Sequence, residues 1–147
     1  MIDYELVKKA EKKCGSCWCV GANEELISNL GQRLNVTFPK SYVEFLKVYG
    51  EGGIPGMYIY GIDDETFSSA YKYTMKYRNE KNINPYWVVI GKIKTDEENF
   101  LICLDTANFV ESECTLIKYD LIDDRASDLE CDFSDYFNYR VKKLLEK

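Results

Sequence analysis

The sequence predicts an α+β domain, and three observations carry that expectation. Apolar residues at helical spacing dominate the first half, three β-rich runs joined by short links follow, and another helical stripe closes the chain. Consecutive strands with short links favour an antiparallel meander, and helices must cover at least one of its faces. The expected order is α-α-α-β-α-β-β-β-α, with an antiparallel or mixed sheet of about four to six strands. A length of 147 residues suits one domain, 1–147, with a core large enough to need no disulfides.

Taken in order, Ile2, Leu6, Val7 and Ala10 lie on one face of a first helix. Asn23 caps a second, with Glu24 and Glu25 well placed against its positive end. Leu26, Ile27, Leu30 and Leu34 form its stripe. Gly31 within it either permits close packing or marks an early end. Pro39 suits the first turn of a third helix. Tyr42, Phe45, Leu46 and Tyr49 follow at i, i+3, i+4 and i+7, and Gly50 supplies the C-terminal stop. EGGIPG reads as a loop and MYIYGI (57–62) as a strand. The run from Asp63 to Asn82 reads as a fourth helix, with Phe67, Ala70, Tyr71 and Thr74 on one face. Asn84-Pro85 breaks the chain. YWVVIGKI (86–93), FLICL (100–104) and TLIKY (115–119) are the remaining strands, with TDEEN (95–99) as a hairpin turn. Asp132 caps a last helix that carries Phe133, Phe137, Val141 and Leu144.

Composition removes many functions. The chain has no His, which excludes Ser–His–Asp and Cys–His nucleophile systems and His-based zinc motifs. Lys and Arg total 19 against 25 Asp and Glu, a net charge of −6, so the basic footprint of a nucleic-acid binder is missing. The charged, amphipathic N-terminus lacks a secretion signal's apolar core, and no apolar run approaches a membrane span. A cytoplasmic location is expected, with no nucleic-acid or membrane partner and no cofactor.

Cys14, Cys17 and Cys19 cluster as CGSCWC. A metal site is the alternative reading, but zinc wants four ligands in close pairs, and neither a second pair nor a His is present. A redox pair would open a helix after a strand, whereas this one follows a helix. Cys19, Cys103 and Cys114 read better as small buried hydrophobes. The loop Gly50–Gly56 is neither GxGxxG nor a Walker loop, and it runs from helix to strand, the reverse of both. The carboxylate runs 63–65, 96–98 and 123–124 sit at turns or helix starts. Asp105, leaving a strand, is also an ordinary turn former. No enzymatic activity is expected.

Charge distribution says more. Between Asp105 and Asp135 stand ten acids against Lys118 and Arg125 alone, so this segment carries −8 and the rest of the chain +2. A one-sign region steers a basic partner and speeds association.

GANEELI (21–27), FPKSYVEFLKVYG (38–50) and the Gly-Gly-x-x-Gly loop together resemble the SUKH superfamily. This is the family of the yeast Smi/Knr cell-wall-assembly regulator and of many bacterial immunity proteins. Phe38, Pro39, Tyr42, Phe45, Leu46, Tyr49, Gly50, Gly52 and Gly53 fit its pattern directly. WVVI (87–90), CLDT (103–106), Glu113-Cys114, Tyr119-Asp120 and the Phe133/Phe137 pair resemble its bacterial branch. Bacterial relatives tend to have Gly before the Glu-Cys pair and Pro after it, where this chain has Ser112 and Thr115. CGSCWC belongs to no family pattern, and residues 1–20 read as a variable N-terminal helix and Cys-rich turn.

The resemblance implies an α+β fold, no inherited catalytic residue, and a protein that neutralises a cognate toxin domain by direct binding. A basic, nuclease-type toxin suits the acidic segment. Partner contacts are expected from Glu111, Glu113, Asp120, Asp123 and Asp124, with Tyr58, Tyr60 and Phe109 as aromatic anchors. A monomer or weak homo-oligomer is expected. The rival reading is a regulatory scaffold for cell-wall synthesis or another endogenous process.

Overall fold

The computed structural model describes all 147 residues. Its helices are α1 (Tyr4–Cys14), α2 (Glu24–Leu34), α3 (Lys40–Tyr49), α4 (Ser69–Glu80) and α5 (Phe133–Leu145). Its strands are β1 (Gly52–Ile54), β2 (Met57–Ile59), β3 (Trp87–Lys94), β4 (Asn99–Val110), β5 (Glu113–Asp120) and β6 (Arg125–Asp128). The expected α+β class holds. β3-β4-β5-β6 form an antiparallel meander, and β1 and β2 form a separate hairpin. Tyr60 N–H donates to the Ile90 carbonyl at 2.7 Å and ties that hairpin to the β3 edge.

The first three strands of the meander, β3, β4 and β5, are buried on both faces, with the period of two that strands impose. Ile102, Leu104 and Leu116 face α3 and α5, while Leu101, Cys103 and Ile117 face Tyr77 of α4. The helix face read from 38–49 is the centre of the larger core. Tyr42 and Phe45 of α3 meet Phe133 at 5.3 and 5.6 Å between ring centroids, and Phe45 meets Phe137 at 5.8 Å. Trp18 closes this aromatic layer at 4.2 Å from Tyr49. Asn23 and Asp132 cap α2 and α5 as expected, accepting from the Leu26 and Asp135 amides. Gly31 permits close packing against Phe38 and the Val36 carbonyl, and α2 continues past it to Leu34.

Five expectations change. The single strand at 57–62 becomes the β1–β2 hairpin, because the glycine loop itself pairs. α4 starts at Ser69 instead of Asp63. There the Asp64 carboxylate accepts from the Thr66 and Phe67 amides and closes a turn, after which Ser68 takes the cap position. β4 runs six residues beyond FLICL, and β6 (RASD) was unmarked because every one of its residues is exposed. Pro39 stands at the N-cap of α3, one residue before the first turn.

The Cys-rich segment lies against the glycine loop. Cys17 N–H donates to Gly53 O at 2.8 Å and Cys19 N–H to Glu51 O at 2.9 Å. Gly50 and Gly52 have φ of +74° and +119°, and a Cβ on either would overlap the backbone of residues 17–20. Three chain segments therefore cross where only hydrogen atoms fit. Phe45 is fully buried at this aromatic layer. Phe45→Ala should lower the free energy of unfolding by about 3–5 kcal/mol, measured by urea titration.

Candidate protein-binding surface

The residues singled out from the sequence fall in three places. Phe109, Glu111 and Glu113 belong to the β4–β5 tip. Asp120, Asp123 and Asp124 lie at the other end of β5, in the β5–β6 turn. Tyr58 and Tyr60 lie on and just after β2, outside the groove beside Phe109.

The β4–β5 tip is built by a bulge. Leu104 pairs with Leu116 and Phe109 with Cys114, so residues 105–108 stand opposite Thr115 alone. Asp105 holds the excess chain, its carboxylate accepting from Ala107 N–H at 3.3 Å and Asn108 Nδ2 at 3.0 Å. Bulges bend a strand and re-aim its side chains. Here Phe109 is 38 % and Val110 76 % exposed, although they extend a strand buried from Leu101 to Thr106. Glu111 and Ser112 then turn the chain, both left-handed at φ 51° and 71°. Two-residue hairpins of this kind normally use Asn-Gly or Asp-Gly, and non-glycine residues there carry strain.

Beside the tip runs a groove of about 960 Å³. Gly31, Val36 and Phe38 form one wall, and Phe109 and Tyr86 the other. Tyr86 is 53 % exposed, and its carbonyl accepts from the Thr106 amide and hydroxyl, which fixes it to β4. Glu113 has an internal task. Pro39 offers α3 no side-chain cap, and the Glu113 carboxylate fills that role by accepting from Ser41 N–H at 2.9 Å and Ser41 Oγ at 2.7 Å. It thereby joins the base of the tip to α3.

Counter-charge is sparse along the acidic segment. Of the ten carboxylates between Asp105 and Asp135, only Asp124 forms an ion pair, with Lys81 at 3.2 Å. Asp124 also accepts from Tyr119 Oη at 3.0 Å, while Asp120 accepts from the Ile122 and Asp123 amides and closes the turn. At the other end, Leu129 N–H to Leu116 O and Leu116 N–H to Cys131 O place residues 128–132 beside the first half of β5. Glu111, Asp123, Asp128, Glu130 and Asp135 are exposed and have no cation partner. Of these, Glu111 stands at the tip, Asp123 in the β5–β6 turn, and Asp128, Glu130 and Asp135 along the segment that leads into α5.

The other candidates are held locally. Tyr58 donates to the buried Glu51 carboxylate, which also accepts from Ser69 Oγ at 2.8 Å, and burial followed by this bond raises the Tyr58 pKa. Tyr60 stacks on Tyr73 at 4.5 Å. Cys14, Cys17 and Cys19 do not converge on a metal position. The exposed Cys17 thiol donates to Gly53 O at 3.3 Å, while burial, with the Asp63 carboxylate next, pushes Cys19 up to about 11. Cys103 and Cys114 are buried hydrophobes as expected, and burial raises both thiols, Cys114 to about 12. Cys19 is only partly buried.

Residues 4–142 match the family model described as SMI1-KNR4 cell-wall, within the SUKH group. The chain belongs to the SMI1-KNR4 cell-wall family. In this family member the 38–53 block is the α3 core face and the glycine crossing, so the residues that reveal the family build the fold. The match also takes in α1 and the Cys17–Cys19 segment. The groove wall at Gly31–Phe38 sits next to that block, whereas Tyr86, Phe109 and Val110 decorate the sheet. No helix is long and apolar enough to cross a membrane.

Two outcomes follow from this chemistry. The Lys81 and Tyr119 bonds hold Asp124 below the ordinary carboxylate range. Their stabilisation is present above the unfolded pKa and lost as pH falls through the lower folded value. Asp124→Asn should therefore destabilise the protein at about pH 7 and be neutral at about pH 2, read by denaturant midpoints. Native-state titration with a disulfide reagent should modify Cys17 first, and Cys17→Ser should remove that fast phase. Cys103 should react only on unfolding.

Proposed function

We propose that this chain is an immunity-type protein of the cytoplasm that neutralises a basic toxin domain by direct binding, with the β4–β5 tip as its contact face. The observation that carries this reading is the pairing, at one tip, of exposed Phe109, Val110 and Tyr86 with the Glu111 carboxylate, which has no cation partner. Long-range charge steers a basic partner, and a few aromatic anchors in a groove supply affinity. The strained Glu111-Ser112 turn supports it: a sequence selected for stability alone would place Asn-Gly there. Glu111 remains a contact residue, and Tyr86 and Val110 join Phe109. Asp123 contributes steering, whereas Glu113, Asp120 and Asp124 act through the fold. Catalysis has no part in this mechanism, and family membership agrees with a binding role.

The test is co-expression with a toxin domain encoded beside the gene, scoring growth and complex formation. Wild type should rescue growth, and Phe109→Ala with Glu111→Lys should weaken the complex by about a hundredfold. Replacing Glu111-Ser112 with Asn-Gly should raise stability by about 1 kcal/mol while slowing association. Rescue unaffected by all these changes would remove the tip from the interface. Stable binding to a cell-wall enzyme without toxin rescue would favour the regulatory-scaffold reading.

A further inference from the structure

The margins of the two sheets are finished differently. The outer edge of β1 is closed by the Cys-rich segment, through the Cys17 and Cys19 amides. The outer edge of β3 is closed by Tyr60 N–H, which donates to Ile90 O, and by Thr74 Oγ1, which accepts from Val89 N–H at 2.9 Å. β6 ends the meander with β5 on one side and no strand on the other, and each of its residues, Arg125 to Asp128, is exposed. Leu129 N–H donates inward to Leu116 O at 2.9 Å. Inward and outward bonding alternate along an antiparallel strand. Arg125 and Ser127 therefore also bond inward, while Ala126 and Asp128 turn their amides and carbonyls outward. An open edge of this kind is a template for one more strand.

Charge decides which strand. Asp123 and Glu130 flank β6 at its two ends, Asp128 belongs to it, and none of these carboxylates has a cation partner. The cations of this margin are already answered. Lys81 meets Asp124 at 3.2 Å and Lys118 meets Glu98 at 3.7 Å. Arg125 stands directly across the ladder from Asp120. Once these pairs cancel, the margin keeps the negative charge of Asp123, Asp128 and Glu130. Charge of both signs on an edge discourages any strand; charge of one sign discourages an acidic strand and favours a basic one.

We infer that the open edge of β6 is a second docking surface, and that its partner is an extended basic polypeptide segment that adds a fifth strand to the meander. Backbone hydrogen bonds to Ala126 and Asp128 hold the segment, and its Lys or Arg side chains meet Asp123, Asp128 and Glu130. A second copy of this chain does not fit. Opposite residues of an antiparallel pair share a face, so a two-fold pairing of β6 with itself centres on one residue. Two centres keep most of β6 paired. Centred on Ala126, Asp124 opposes Asp128; centred on Ser127, Asp124 opposes Glu130. Phosphates of a nucleic acid or a lipid surface would meet the same carboxylates. β6 pairs with Ile117–Asp120 and the tip lies beyond Cys114, so the inference does not depend on what occupies the tip.

Fluorescence anisotropy tests this with a labelled peptide alternating Lys with Thr and Val. Its controls are the same peptide with Glu for Lys, and the Lys peptide with every second amide N-methylated, made in both phases. The Lys peptide should bind, and less tightly as salt is added. The Glu peptide and at least one methylated phase should bind at least about tenfold more weakly. In the complex, the Ala126 and Asp128 amides should gain protection from hydrogen exchange, read by NMR. Ala126→Pro removes an N–H that points away from β5, at an edge position that tolerates proline. It should cut affinity by about tenfold or more with the urea midpoint held, and Asp123→Lys with Glu130→Lys should do the same. No binding, equal binding of the Glu peptide or of both methylated phases, or binding indifferent to these substitutions would overturn the proposal. So would sedimentation showing the edge closed by a second copy, with self-association abolished by Ala126→Pro.

Discussion

Everything in this molecule hangs on burying one face of α3. Tyr42, Phe45 and Tyr49 are too large to be covered by a single partner, so α5, the Cys-rich segment and the sheet all converge on them. Burial of this size is the main favourable term available to a domain of this length. It also sets where the ends of α3 lie. At the C-terminal end, Gly50 and Gly52 allow the chain to cross residues 17–20. At the N-terminal end, Glu113 reaches from β5 to cap the helix. The helix that fills the core therefore also anchors the exposed hairpin.

That anchoring is what makes the tip usable. A binding loop must hold its aromatic residues ready, or ordering them on contact erodes affinity. Here Asp105 pins the bulge, Thr106 pins Tyr86, and Glu113 pins the base of the hairpin, each by hydrogen bonds. Phe109 and Val110 are then presented from a rigid sheet. Part of the acidic composition is spent on this scaffolding, and the carboxylates without partners supply the field.

Much of this was legible in the sequence, and the divide has a physical cause. Helices announce themselves through period and caps: Asn23, Asp132 and the 42–49 stripe are legible because each acts within a few residues of itself. The family block was legible for the same reason, since glycines that stop a helix and rings that face a core are local requirements. The regions that escaped depend on distant chain. The place of CGSCWC depends on its pairing with the backbone of residues 51–53, which no local pattern reveals. The start of the fourth helix is hidden because the Asp64 turn competes with helix at the same residues. β6 has no buried face and so no alternation to read.

The candidate surface divided in the same way. The acidity of 105–135 was plain, but its single ion pair, at Asp124, depends on Lys81, far off in sequence. Asp105-Thr106-Ala107-Asn108 held the signal for the bulge, polar turn formers interrupting an apolar strand, and that signal points to Phe109 and Val110. Hydrogen–deuterium exchange on the chain alone and in the presence of the proposed partner, a toxin domain encoded beside its gene, tests the central claim most directly. Protection on binding should concentrate at residues 105–112, around Tyr86 and along 31–38. Protection confined to α1, α5 or the β5–β6 turn, with none at the tip, would contradict the account.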